Sequence, residues 1–97
     1  MKLLSLNIHG LGGLTKIKSF SSLLSEIKPN MVFLQETMCD HSQALLSFEK
    51  VKTSWESCAT DSLGLSRGIL TGWDPSVVCC KAFVSLFGIL VKVLLKN

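Results

Sequence analysis

Asn7 and Glu36 are the two residues of this 97-residue sequence whose side chains could together do chemistry. Asn7 ends an apolar segment that begins at Leu3, and Glu36 closely follows a second apolar segment over residues 31–34. A carboxylate supported by a neutral amide oxygen is a ligand set that a hard cation such as Mg²⁺ accepts. The pair therefore predicts a divalent-metal site if the fold brings the two segment ends together. Taken by itself, Glu36 is also typical of a solvated loop residue.

A helix is predicted between these two segments. An apolar stripe recurs at three- and four-residue steps: Ile17, Phe20, Leu24 and Ile27. Thr15 is the expected N-cap, and Pro29 is expected to end the helix near Lys28. Two strands joined by one helix are parallel with a right-handed crossover, so their carboxyl ends share one edge of the sheet. Open α/β sheets bind ligands at that edge.

The remaining sequence predicts one more helix and several strands. The helix is expected over residues 42–50, and the strands over 54–59, 69–73, 77–84 and 89–95. Glycine, proline and small polar residues predict the turns between them: residues 64–68, residues 74–76 and a position near Gly88. Parallel elements followed by hairpins predict a single α/β or α+β domain with a mixed sheet and one or two helices.

Composition agrees with a small globular domain or a piece of a larger one. Apolar residues make up 47% of the chain and charged residues 18%, which is ample material for a core. The formal charge is +3, and the ten basic residues are dispersed. A charge pattern without a basic run predicts no strong polyanion-binding stripe.

The four cysteines are expected to be reduced thiols of an intracellular protein. They show no C-x-x-C spacing: Cys39, Cys58, Cys79 and Cys80. Cys39-Asp40-His41 offers three ligand types in succession, but without a second ligand pair a zinc site is not expected there. Polar residues and glycine interrupt the first apolar segment too early for a secretory signal. The expected location is intracellular, the nucleus included, and not secreted.

The apolar run from Val77 to Leu95 has two explanations. It is about long enough to span a bilayer as one helix. Lys81 and Lys92 lie inside it, however, and each charge is costly near the centre of a membrane. Two strands with a turn explain the same run without that cost, so strands are favoured and no membrane partner is expected. A small membrane-anchored protein remains the alternative.

Three stretches of the sequence resemble the endonuclease/exonuclease/phosphatase family: LSLNIHGLG at residues 4–12, KPNMVFLQET at 28–37, and GLSRGI at 64–69 with the nearby Trp73. The similarity is greatest to the endonuclease domain of plant non-LTR (LINE-type) retrotransposons. It spans nearly the whole chain and covers about the first half of the family's domain. The second stretch, in register with the strand-end asparagine, is the most specific.

This resemblance implies a fold and an activity. The family fold is a four-layer α/β sandwich, of which this chain would form an incomplete half. The family's chemistry is metal-dependent hydrolysis of phosphate esters, here the phosphodiester bonds of DNA. By the resemblance, Glu36 would be the catalytic carboxylate that binds Mg²⁺. Asn7 would orient the metal ion or the scissile phosphate, and DNA would be the partner.

The sequence also departs from the family pattern. Leu6 stands where many members have tryptophan, His9 where the retroelement branch usually has arginine, and Arg67 where a second glycine is usual, which could strain a tight turn. The family's later Asp, Asn and His motifs are absent from these 97 residues, and there is no tyrosine. His9 is expected at the surface of a strand end and His41 in a loop, so no base that activates water is apparent.

Two functions follow from these observations, besides the membrane anchor. The first is a truncated, retrotransposon-derived domain without catalytic activity of its own. The second is an interaction or structural module. Half of a sandwich would leave an apolar face that a partner chain, or self-association, must cover.

Overall fold

The computed structural model describes residues 1–63, 66–85 and 88–96 of the chain. It is an α+β fold, as predicted. The elements in chain order are β1 (Leu3–Asn7), α1 (Leu14–Ile27), β2 (Met31–Gln35), α2 (His41–Val51), β3 (Glu56–Ala59), β4 (Ser62–Leu63), β5 (Ser66–Arg67), β6 (Ile69–Trp73), β7 (Val78–Ser85) and β8 (Gly88–Leu95).

A four-stranded mixed sheet holds the chain together, with the strand order β1-β2-β6-β3. β1 and β2 are parallel neighbours, with Leu3 opposite Met31 and Asn7 opposite Gln35. β6 runs antiparallel to both β2 and β3. The predicted strand–helix–strand unit and the mixed sheet are therefore confirmed, and β2 is a central strand.

The helices cover one face of this sheet and form the larger core with it. Phe20 and Leu24 of α1 and Phe48 of α2 are all buried there. The strands contribute alternate residues to the same core: Leu4, Leu6, Val32, Leu34 and Leu70. The middle of the apolar stripe predicted for α1, Phe20 and Leu24, therefore packs into the core, whereas Ile17 and Ile27 at its ends are half-buried.

A separate two-stranded sheet covers the opposite face. β7 and β8 pair antiparallel over their whole lengths. The side chains of this hairpin that pack inward alternate along both strands: Val78, Cys80, Ala82, Val91 and Val93. They join a second core cluster with the buried Met31 and Trp73. Because both faces of β2 are covered, its sequence is almost continuously apolar.

The two helices begin at different residues from those predicted. The helical bond from Ile17 N–H to Gly13 O, at 3.0 Å, makes Gly13 the N-cap of α1. The prediction of Thr15 as the cap was wrong, because Thr15 lies inside the first turn. The side chain of Asp40 caps α2 by accepting a hydrogen bond from Gln43 N–H at 2.8 Å. This cap starts the helix at His41, so the expected loop position of His41 was also wrong.

Several smaller expectations have outcomes too. Trp55 was expected inside a strand, but β3 begins one residue later, at Glu56. The turn at residues 74–76 is confirmed by hydrogen bonds from Val77 and Val78 N–H to the Asp74 carbonyl, each 3.1 Å. The turn expected at residues 64–68 lies partly outside the described residues. The turn expected near Gly88 lies largely outside them, and Gly88 itself is the first residue of β8.

The long apolar run at the end of the sequence forms strands rather than a helix. β7 and β8 account for residues 78–85 and 88–95 of it. In the described part of the chain, no helix is long and apolar enough to cross a membrane.

Gly72 of β6 lies close against Phe48 of α2. A Cβ atom placed there would lie 2.5 Å from two carbon atoms of the buried Phe48 ring. We therefore expect Gly72→Ala to lower the free energy of unfolding by about 1–3 kcal/mol, because the ring has to move in a packed core.

Urea denaturation followed by circular dichroism measures this effect. Gly13→Ala is the matched control, since a Cβ at Gly13 meets nothing within 4 Å. Its effect should stay below about 1 kcal/mol, the usual difference between glycine and alanine at a helix N-cap. Equal losses in the two variants would contradict the close packing of Phe48 on β6.

Candidate metal and phosphate site

The ends of β1 and β2 remain hydrogen-bonded beyond the last residues of the two strands. Ile8 N–H donates to the Gln35 carbonyl at 3.0 Å, and Gly10 N–H donates to the Glu36 carbonyl at 2.8 Å. Leu11 N–H then donates to the Thr37 carbonyl at 2.9 Å. These bonds hold the two connecting segments side by side at the carboxyl edge of the parallel pair.

Asn7 and Glu36 are in direct contact at this edge. The Asn7 amide nitrogen donates a hydrogen bond to Oε2 of Glu36. The Asn7 amide oxygen accepts a hydrogen bond from His9 N–H at 3.1 Å. The structure therefore brings together the two side chains that the sequence predicted to meet, and it fixes the amide through both of its ends.

The backbone around the two side chains adopts an uncommon conformation. Among the described non-glycine residues, four have a positive φ, and three of them lie here: His9 at 50°, Glu36 at 56° and Met38 at 60°. Such left-handed residues cost about 1–3 kcal/mol each and persist only where surrounding contacts hold them. The hydrogen bonds between the two segments provide that support.

The segment that leads from β5 into β6 lies against the same edge. Thr37 N–H donates to the Gly68 carbonyl at 3.2 Å, and Met38 N–H donates to the Arg67 carbonyl at 2.8 Å. Gly68 has a φ of 83°, and a Cβ there would collide with the buried Thr37 hydroxyl. Arg67 is not among the described residues with a positive φ, and the following Gly68 adopts the left-handed conformation. Residues 64 and 65 of the turn in which strain was expected lie outside those described.

Two basic side chains approach the Glu36 carboxylate. Nε of Arg67 lies 3.5 Å from Oε1 of Glu36, and Nδ1 of His9 lies 3.6 Å from Oε2. The Arg67 side chain is 58% exposed and His9 72%, whereas Glu36 is only 26% exposed. The carboxylate is thus shielded from much of the solvent, and nitrogen donors approach both of its oxygens. His9 lies on the surface at the strand end, as expected.

The donor chemistry of this edge fits a water-rich Mg²⁺ site. Glu36 offers carboxylate oxygens and Asn7 an amide oxygen, and Mg²⁺ commonly uses one or two carboxylates while keeping several water ligands. Within the described residues, no group of three or more His, Cys, Asp or Glu side chains could hold a metal ion. Water or a substrate phosphate would therefore supply the remaining ligands. An incoming ion would also have to displace the contacts from Arg67 and Asn7.

A second polar pair lies at the start of α2. His41 donates from its backbone N–H to Oδ1 of Asp61 at 2.8 Å, and its ring Nδ1 lies 2.6 Å from the same oxygen. These two hydrogen bonds with His41 hold the pKa of the Asp61 carboxyl below its usual value, and the backbone bond has the larger effect. Of the neighbours of His41, Asp40 caps the helix, and burial raises the pKa of the Cys39 thiol. Asp40 and His41 are thus each engaged in hydrogen bonds of their own.

His9 and Arg67 are the members of the site that the sequence did not predict. Each was singled out only as a departure from the family pattern. Arg67 could have been predicted from an antiparallel pairing of β2 with β6. In that pairing Gln35 lies opposite Ile69, so the residues just before Ile69 lie near Glu36. His9 could have been predicted from a turn after β1 in which His9 N–H donates to the Asn7 side chain.

The chain was compared with models of known protein families and with curated proteins, and it matches none of them.

Arg67 occupies the Glu36 carboxylate that a bound cation would use. We expect Arg67→Gln to raise the affinity of the chain for Mn²⁺, used as a Mg²⁺ substitute, by about two- to fivefold, because an exposed ion pair contributes up to about 1 kcal/mol. Isothermal titration calorimetry measures the change.

Lys50→Gln is the matched control for this titration, since it removes the same charge from the exposed end of α2. It should leave the affinity unchanged within twofold, roughly the limit set by screening of distant surface charges. Equal gains in the two variants would show that net charge, and not the contact between Arg67 and Glu36, governs binding.

The Asp61 pair makes stability depend on pH in the acid range. Because the pKa of Asp61 is lowered in the folded chain, its contribution is fully present above the usual carboxyl pKa and is lost as the pH falls through the lowered value. Asp61→Asn should therefore lower the melting temperature at neutral pH, and the difference from the wild type should shrink below about pH 4. Glu26→Gln, on the exposed side of α1, should show little difference at either pH. A difference for Asp61→Asn that persists unchanged in acid would contradict this role.

Proposed function

We propose that this chain is a domain similar to the first half of a metal-dependent DNA endonuclease of retrotransposon origin. Its Glu36–Asn7 edge binds Mg²⁺, and the 97 residues alone do not hydrolyse DNA. The observation that carries the proposal is the contact between Asn7 and Glu36 at the carboxyl edge of two parallel strands. This edge is the usual ligand position in open α/β sheets.

Each residue of the edge has a distinct part in this proposal. Glu36 is the anionic ligand, half-covered so that its charge is only partly screened by solvent. Asn7 holds the carboxylate in place through its amide nitrogen, while its amide oxygen accepts from His9 N–H. To join Glu36 as a ligand, this oxygen would have to turn toward the carboxylate. Arg67, which is largely exposed, is available to the oxygens of a phosphate once it leaves Glu36.

The bound ion would polarise a phosphoryl oxygen and stabilise negative charge on the leaving oxygen. In-line hydrolysis also needs a group that deprotonates or orients the attacking water. The sequence has no tyrosine and two histidines. His41 is engaged by Asp61, and His9 faces the carboxylate that would hold the ion. A carboxylate partner does not disable an imidazole as a base, but the pair of His41 and Asp61 lies at the start of α2 and shares no described contact with Glu36 or Asn7. The proposal is therefore binding without hydrolysis.

An interaction module is the second candidate function. Its support is the exposure of large apolar side chains on the hairpin, including Leu90 at 64% and Leu94 at 71%. This function does not require Glu36, so the two candidates can be separated by substitution.

A metal titration combined with a plasmid-nicking assay tests the proposal. We expect the wild-type chain to bind Mn²⁺. Glu36→Gln should weaken binding by at least about tenfold, because removal of a group that only supports a metal ligand already costs about that much. Neither protein should nick supercoiled DNA in the presence of Mg²⁺.

Glu49→Gln, on the exposed face of α2, is the control and should bind the ion like the wild type. Equal binding by the Glu36 and Glu49 variants would overturn the metal site. Nicking by the wild type that disappears in Glu36→Gln would instead retain the metal site and refute the predicted inactivity.

A further inference from the structure

The hairpin of β7 and β8 presents an outer face that the fold leaves open to solvent. Three cross-strand pairs form this outer face: Cys79 with Leu94, Lys81 with Lys92, and Phe83 with Leu90. All six residues are exposed. Five of the alternate residues pack inward, so the outer face is distinct from the core: Val78, Cys80, Ala82, Val91 and Val93.

Two lysines stand directly opposite each other at the middle of this face. Like charges in this position repel, because the Cβ atoms of a cross-strand pair are only about 5 Å apart. Nζ of Lys81 lies 5.6 Å from the centre of the Phe83 ring, which offsets part of the repulsion. From Pro75 to the end of the sequence there is no aspartate or glutamate. The hairpin itself therefore offers no carboxylate to these two ammonium groups.

The outer face thus combines a central positive charge with apolar residues on both sides of it. Phe83 and Leu90 lie toward one end, and Leu94 lies toward the other. A partner that fits must supply both negative charge and an apolar environment. The interface of an anionic lipid bilayer supplies both, because lysine side chains reach the phosphate level while aromatic and aliphatic groups enter the acyl boundary.

Other partners fit this arrangement less well. A second copy stacked on the same face about a two-fold axis would bring four lysine ammonium groups together. A nucleic-acid strand is held by grooves with successive basic and stacking groups, whereas this face has two adjacent lysines and one aromatic ring, that of Phe83.

We propose that the outer face of the hairpin docks on the surface of membranes rich in anionic lipid. The contact is peripheral: the strands lie along the surface, and the main sheet and helices stay on the aqueous side. This inference is independent of the metal site, because it uses no residue of the Glu36 edge.

Flotation with lipid vesicles tests this docking. The purified full chain is mixed with vesicles of phosphatidylserine and phosphatidylcholine, or of phosphatidylcholine alone, and is spun through a density gradient that leaves protein aggregates at the bottom. We expect flotation with the anionic vesicles only. The double variant Lys81→Gln, Lys92→Gln should reduce partitioning by at least about tenfold, because each lysine near an anionic surface contributes roughly fivefold.

The double variant Lys16→Gln, Lys18→Gln removes the same charge from α1 and should partition like the wild type within about twofold. Leu94→Ser should also weaken partitioning, since the face would lose apolar contact with the membrane. Circular dichroism checks that the variants are folded. Equal losses in the two double variants would overturn the proposal, as would absence of flotation with the anionic vesicles. Binding of an acidic polypeptide such as polyglutamate to this face, without flotation on the anionic vesicles, would equally overturn it.

Discussion

The parallel pairing of β1 with β2 is the constraint on which the candidate site depends. The register places Asn7 opposite Gln35, and the backbone bonds past the strand ends bring the next residue, Glu36, beside the Asn7 amide. A slip of one residue in this register would turn the Asn7 side chain to the other face of the sheet, toward the helices. The helix core on one side and the hairpin on the other fix the register, because both faces of β2 are buried.

The same edge also concentrates opposing charges and strained backbone. Glu36 and His9 are held in left-handed conformations, and Arg67 approaches the carboxylate from a segment that is distant in sequence. The fold thus provides the Glu36 carboxylate with internal partners. Any cation that binds here exchanges these internal contacts for its own, so the affinity of the edge is set by a difference between two similar interactions. The proposed docking face on the hairpin is built differently, since the two lysines there have no carboxylate on the strands to pair with.

Sequence patterns predicted the parts of this fold that depend on local order. The stripe around Phe20 and Leu24, the stop at Pro29 and the apolar run before Gln35 each reflect a physical requirement of one element, and together they place Asn7 and Glu36 on one edge. Contacts between distant segments were not predictable in the same way. Arg67 reaches Glu36 only because β6 pairs with β2, and Asp61 reaches His41 across the start of α2. The N-cap of α1 was misplaced because Gly13 provides no side-chain signal.

Paramagnetic broadening of backbone amide signals by Mn²⁺ would locate the divalent ion proposed to bind between Asn7 and Glu36, at the paired ends of β1 and β2. Substoichiometric Mn²⁺ should broaden first the amides closest to this edge, such as Gly10 and Thr37, and Glu36→Gln should abolish this selectivity. Broadening that is uniform, centred on another part of the chain, or unchanged in the variant would rule out a metal site at this edge.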